Sequence, residues 1–226
     1  MIPVNLVEWK PCFRIIPSRF PPISLFERIA DPADWDALAE LESVTNSRIR
    51  EEIGDISLVP PDERVGGPGS SAIMAAFTHL NPEGSRFTDG TFGVFYAAGD
   101  IVTAIEETKH HRIRFMAATS QPAMQLDMRV YVVDLVAELH DLRGLQNMHP
   151  LVYHPSSYAA GQHLAAGLRK DGSNGIAYDS VRKPGGECVA IFRPKVLSNC
   201  RQERHLCYVW EGATIKDVYV KSSLAL

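Results

Sequence analysis

Apolar residues recur at helical spacing in several stretches of the chain, separated by turn formers and short β-rich runs. Trp35, Leu38, Leu41 and Val44 follow Asp31-Pro32, an N-cap and first helical residue, and predict a helix from about residue 32 to about residue 50. Ile73, Ala76, Phe77 and Leu80 follow Ser70 and Ser71, either of which can cap a second helix that Asn81-Pro82-Glu83-Gly84 ends. Gly99-Asp100 stops a strand and caps a third helix carrying Val102, Ile105, Lys109 and Ile113. Ser156 or Ser157 opens a fourth, with Tyr158, Leu164, Ala165 and Leu168 as a partial apolar stripe and Gly172 as its stop.

Between these helices the pattern turns to β-branched and aromatic residues. Gly90 to Tyr96 reads as a turn followed by a buried strand, and Ile176–Val181, Cys188–Phe192 and His205–Trp210 read as strands joined by turns. Met128 to Leu135 is β-rich, while Asp134 to His140 fits either strand or helix. Pro3, Pro11, Pro17, Pro21 and Pro22 make the first thirty residues an irregular segment with room for one short strand at Cys12–Ile16, and Ile53–Arg64 reads as loop. The sum is an α+β fold, a mixed and mainly antiparallel sheet core with surrounding helices. It is expected as a single domain over 1–226, with 1–69 as an N-terminal accessory segment and 70–215 as the core.

Composition narrows the partners. A chain of 226 residues with 45% hydrophobic content can bury a sizeable core. A net charge of -4 and a pI near 6.1 argue against a general nucleic-acid binder. Cys12, Cys188, Cys200 and Cys207 show no paired spacing, which favours reduced thiols and the cytoplasm. No apolar run is long enough to cross a membrane, and Met1-Ile-Pro-Val lacks the pattern of a signal peptide.

The segment from Ser85 to Glu106 concentrates the chemistry. Arg86, Tyr96 and Glu106 lie along one strand-to-helix unit, where a guanidinium, an aromatic ring and a carboxylate can meet in a cleft. A guanidinium binds two phosphate oxygens at once, an aromatic ring holds a flat heterocycle, and a carboxylate stabilises positive charge developing on a sugar. Glu107 is one helical step of about 100° from Glu106 and is expected to face solvent. The chain has no GxGxxG fingerprint, and Gly66-Gly-Pro-Gly69 lacks the strand before it and the Lys-Ser/Thr after it that a phosphate loop needs. His110-His111 is a histidine cluster without metal-ligand spacing, so no metal is expected, and Ser180 lacks the GxSxG elbow of a triad nucleophile.

These pieces resemble the RES domain family, named for an arginine, a glutamate and a serine. Its Arg-Trp or Arg-Phe, Val-x-Tyr and Ala-x-x-Glu elements correspond to Arg86-Phe87, Val94-Phe95-Tyr96 and the Thr103-Ala104-Ile105-Glu106 stretch. Asn174 to Arg182 and Pro184 to Pro194 resemble the family's serine strand and the Gly-Gly-x-Cys-x-Ala-x-Phe strand after it, with Ser180 as the serine. The resemblance runs from about residue 70 to about residue 215, and the amino-terminal part looks like the longer members. It implies a fold similar to bacterial ADP-ribosyltransferase toxins. It also implies a growth-inhibiting toxin of a toxin–antitoxin system that consumes NAD+ as substrate, with an Xre-type antitoxin covering the cleft. Glu106, Tyr96, Arg86 and Ser180 are then the catalytic set, with Arg86, Tyr96 and Ser180 also binding NAD+. A further arginine near the start of the domain often joins the family's pocket, and Arg14, Arg19 and Arg28 compete for that part, with stiffly held Arg19 favoured. The ADP-ribose acceptor is expected to be a protein, since Ala30 to Gly69 offers additional surface; phosphate or water as acceptor, and a non-catalytic nucleotide- or partner-binding module, are the alternatives.

Overall fold

The computed structural model describes residues 2–18 and 54–222. In chain order these form β1 (Val4–Pro17), α1 (Ser70–Thr78), β2 (Phe95–Ala98), α2 (Ile101–Ala118), β3 (Met124–Asp141), α3 (Ala159–Lys170), β4 (Gly175–Asp179), β5 (Glu187–Ile191), β6 (Leu197–Trp210) and β7 (Ile215–Lys221). Single 3-10 turns at Ile56–Leu58, Pro61–Glu63 and Pro194–Val196 complete the path. The helix expected over 32–50 lies outside the described residues.

The sheet runs β1-β2-β5-β4-β3-β6-β7, and β1 also pairs with β3. The pairings from β1 through β2, β5, β4 and β3 therefore close into a ring, from which β6 and β7 extend. Every pairing is antiparallel except β3 with β4, which is parallel at His140↔Ile176 and Asp141↔Ala177. The long β3 makes this possible: one edge carries β1 along nearly its whole length, while the other serves first β6 and then β4.

Strand alternation divides the interior in two. Phe95 and Ala97 of β2, with Val189 and Ile191 of β5, face a core that includes Ile73, Met74 and Phe77 of α1. Ala98, Cys188 and Ala190 face the other side, with Ala104 and Met116 of α2 and Ala165 of α3, and Tyr96 packs against that cluster. Fully burying a large apolar side chain such as Phe95 or Ile191 contributes about 1.5–3 kcal/mol each, so the strands are held mainly by these two clusters.

Several local expectations meet competing interactions. Asp134–His140 is strand: Leu135, Ala137 and Leu139 are buried while Val136 and Glu138 are exposed, the period of two that a helix cannot satisfy. The first strand spans Val4–Pro17 rather than Cys12–Ile16 and lies within the sheet. The expected turn followed by a strand over Gly90–Tyr96 is present, with the strand beginning at Phe95, because Thr88 donates to Phe92 O at 2.6 Å and Asp89 accepts from Thr91 N at 3.0 Å, folding the approach into turns. Asp100 does cap α2, accepting from Thr103 N at 2.9 Å and Thr103 Oγ1 at 2.6 Å. At α1 the cap position is Gly69 with φ 80°, and Ser70 and Ser71 are already helical. Ahead of α3, the amides of Ser156 and Ser157 donate to His154 Nδ1, and Tyr158 holds the cap position without a side-chain bond. No helix among the described residues is long and apolar enough to cross a membrane.

Candidate active site

A cleft of about 590 Å³ opens where β1, β2, α1 and α2 meet the turn carrying Arg86. That volume falls within the roughly 300–1,000 Å³ of small-molecule sites. From α2 it takes Ala104, Glu107, Thr108, His111 and Arg112, the i, i+3, i+4, i+7, i+8 face of one helix. Glu107 thus lies on the cleft, whereas Glu106 does not line it and instead pairs with Lys109 at 3.0 Å, its side chain 36% exposed. This reverses the two positions expected from the sequence. The strict Ala-x-x-Glu spacing counted from Ala104 ends at Glu107, and that spacing is the signal for the cleft-facing carboxylate.

Ser180 Oγ donates to Glu107 Oε1 at 2.6 Å. The same Ser180 oxygen accepts from Arg182 N at 3.1 Å and Lys183 N at 3.0 Å. Its hydroxyl is fully engaged, so Ser180 orients the carboxylate rather than offering a free hydroxyl to a ligand. The loop carrying Ser180 packs on the first turn of α2 at Gly186, where a Cβ would lie 2.3 Å from Thr103 Oγ1. Ser180 N donates to Gly186 O at 2.8 Å, so this close approach is transmitted to the serine.

Arg86 is 7% exposed. Its Nη1 donates to Val152 O at 2.8 Å and His154 O at 3.1 Å, and its Cζ lies 5.0 Å from the Tyr158 ring centroid. Nε and Nη2 bond no described residue, and Arg86 lines the cleft. Tyr96 Oη accepts Phe87 N–H at 2.9 Å and shares a hydrogen bond with Ser85 Oγ at 2.7 Å. Burial pushes its phenol up to about 12 against the opposing effect of those bonds. The Tyr96 hydroxyl therefore stays protonated and engaged, leaving the ring for the cleft.

Of the three candidate arginines, Arg14 falls among the described residues, and it lines the cleft. Its Nη1 donates to Tyr96 O at 3.1 Å, and its Cζ lies 4.6 Å from the Phe95 ring centroid. Burial pushes Arg14 down to about 10, still protonated at neutral pH, and no carboxylate pairs with it among the described residues. Arg19, favoured from the sequence, and Arg28 lie outside those residues. Burial first, with Cys188 and Glu107 adding, raises the Tyr178 phenol, and burial with Glu107 raises the Cys188 thiol, so both remain neutral beside the carboxylate. Among the described residues no group of His, Cys, Asp and Glu gathers that could hold a metal ion.

Fold and cleft together define an α+β protein in which a serine-held glutamate shares a pocket with one buried arginine, Arg86, and one half-buried arginine, Arg14. The family model of the RES domain matches residues 62–211. An uncharacterized protein, y4oC, of Sinorhizobium fredii is 30% identical over 208 residues, 92% of this chain and 86% of that protein. The crystal structure of the M. tuberculosis MbcT–MbcA toxin–antitoxin complex aligns with 93% of this chain and 88% of that chain, at 8% identity and a TM-score of 0.45. The chain belongs to the RES domain family.

Proposed function

We propose that this protein cleaves the nicotinamide–ribose bond of NAD+ and transfers ADP-ribose, acting in the cytoplasm as the toxin of a toxin–antitoxin pair. The observation that carries the reading is Glu107, held by Ser180 at 2.6 Å in a cleft that Arg14 and Arg86 also line. Departure of nicotinamide builds positive charge on the ribose, as in glycoside cleavage, and a fixed carboxylate stabilises that charge. The two guanidiniums suit the pyrophosphate, and the Tyr96 ring suits the flat nicotinamide. Cys12, Cys188, Cys200 and Cys207 are all free and buried, which supports a reducing compartment.

A protein acceptor remains the first reading of the transfer step. Phosphate is the second, favoured by Arg14, Arg86 and Arg112 on the cleft wall, a surround that attracts a small anion. Incubation with adenine-labelled NAD+, cell extract and inorganic phosphate separates them. A discrete labelled protein supports transfer to protein, whereas labelled phosphorylated ADP-ribose or free ADP-ribose with no labelled protein supports depletion of NAD+. NAD+ binding without any release of nicotinamide would make the chain a non-catalytic binding module. The partner is an Xre-type antitoxin lying over the cleft, and cross-links confined to surfaces away from Arg86, Tyr96 and Glu107 would refute that placement.

A further inference from the structure

The Ser85–Thr88 turn that presents Arg86 is held on one side by α3, whose Gly161 and Gln162 lie outside the cleft lining, and on the other by Tyr96. Ser85 N–H closes the turn on Thr88 O at 2.7 Å. From α3, Gln162 Nε2 donates to both of the turn's outer carbonyls, Ser85 O at 3.0 Å and Thr88 O at 3.3 Å. Only the amide nitrogen of Gln162 can face two carbonyl oxygens, so the orientation of this side chain is determined. One residue earlier, Gly161 brings α3 so near the turn that a Cβ would lie 2.4 Å from Arg86 O. On the opposite side the Tyr96 hydroxyl takes Phe87 N–H and bonds Ser85 Oγ. Arg86 is therefore fixed at both ends, its main chain by α3 and Tyr96 and its guanidinium by the carbonyls of Val152 and His154.

We infer that Gln162 is a positioning residue which, with the Tyr96 hydroxyl, clamps the Arg86 turn so that the Nε and Nη2 groups of Arg86 meet an anionic ligand already oriented. The assignment to the phosphates of NAD+ rests on the reading proposed above. Gln162 does not line the cleft, so it acts through the turn that carries Arg86. A preorganised turn spares the ligand the entropy of ordering it, and that gain is expressed in binding rather than in the bond-breaking step.

The test compares wild type with Gln162→Leu, which keeps the bulk and removes the donor. Three quantities are measured: hydrogen exchange at the Ser85 and Phe87 amides, kcat and KM for nicotinamide release, and the thermal midpoint. The expected result is faster exchange at both amides and a KM raised by about tenfold, the scale of one lost hydrogen bond, with kcat nearly unchanged. Wild-type exchange and wild-type KM in a folded variant would overturn the inference, and so would a loss confined to kcat. If Gln162→Leu does not fold, Tyr96→Phe removes only the opposing hydroxyl and must show the same exchange and KM signature; unchanged values there overturn the clamp equally. If wild type releases no nicotinamide, the NAD+ reading fails on its own, and the clamp still stands or falls on amide exchange.

Discussion

Exchanging Glu107 for Gln tests which of two adjacent carboxylates does the chemistry. Glu107 Oε1 takes the Ser180 hydroxyl at 2.6 Å, a length typical of a charge-assisted bond, and Oε2 has no hydrogen bond to a described residue. In Glu107→Gln the side-chain carbonyl still accepts from Ser180, so the loop keeps its anchor. Replacing a charged acceptor by a neutral one costs about 1 kcal/mol, a fall in thermal midpoint of roughly 2–4 °C for a chain of this size. The proposed reaction should lose far more, because Glu107→Gln removes the negative charge that this proposal sets beside the developing ribosyl cation. One preorganised electrostatic contact is worth about 3–4 kcal/mol in a transition state, so kcat for nicotinamide release should fall by about two to three orders of magnitude.

Glu106→Gln is the internal control. It removes only the i, i+3 pair with Lys109 at 3.0 Å, worth about 0.2–0.5 kcal/mol, and activity should stay at the wild-type level. Both variants are assayed for nicotinamide release after their midpoints show that they are folded. Normal turnover in Glu107→Gln, or a dead Glu106→Gln enzyme, would refute the placement of the catalytic carboxylate on the Ala104 face.

Ser180→Ala should lower kcat by about 10- to 100-fold at nearly constant KM, since a misaligned group costs rate more than binding, and steady-state kinetics will read the split. Arg14→Gln should raise KM for NAD+ by about tenfold or more through the lost charge-assisted phosphate contact, and calorimetric titration checks it. Asp141→Asn should cost about 2 kcal/mol at pH 7, since Asp141 accepts from Arg143 Nε at 2.8 Å and Nη2 at 2.6 Å. The Arg143 bonds hold the Asp141 carboxyl below its usual range against the opposing effect of burial, so its stabilisation is complete above the unfolded value near pH 4 and is lost as pH falls through the lower folded value. Melts between pH 7 and pH 2 should therefore show wild type and Asp141→Asn converging at the acid end, and a constant gap would refute the linkage.

Elements marked by local chemistry are readable from the sequence, and those decided by distant pairing are not. Asp100 as a cap needs only Thr103 three residues on, and α2 follows from it. In β3 the run Asp134-Leu-Val-Ala-Glu-Leu-His140 fits strand or helix by its order of residues, because Leu135, Val136 and Ala137 are all apolar, and only burial against the sheet shows the period of two. β7 carries no such mark, because its Lys216-Asp217-Val218-Tyr219 stretch has no clean apolar face: it is held by pairing with β6, and Tyr219 and Val220 remain exposed. The length of β1 is hidden by Pro11 and by exposed Val4 and Leu6, and only the partner strand β3 makes those residues a strand.

In the site, residue types are legible but two positions turn on geometry that spacing encodes only indirectly. Glu106 and Glu107 differ by about 100° around α2, and the face is set by Ala104, small enough to pack at 5% exposure against the sheet. Positions 107, 108, 111 and 112 follow that alanine into the cleft, while Glu106 is carried away from it. Arg14 has a comparable signal. It interrupts Cys12-Phe13-Arg14-Ile15-Ile16, and its half-buried guanidinium carries a desolvation cost that its contacts with described residues, one carbonyl and one ring, only partly offset. A cleft that keeps such a charge with no described carboxylate beside it is suited to an anion. That imbalance is the sequence signal for Arg14, whose guanidinium lines the cleft, while Arg19 and Arg28 lie outside the described residues.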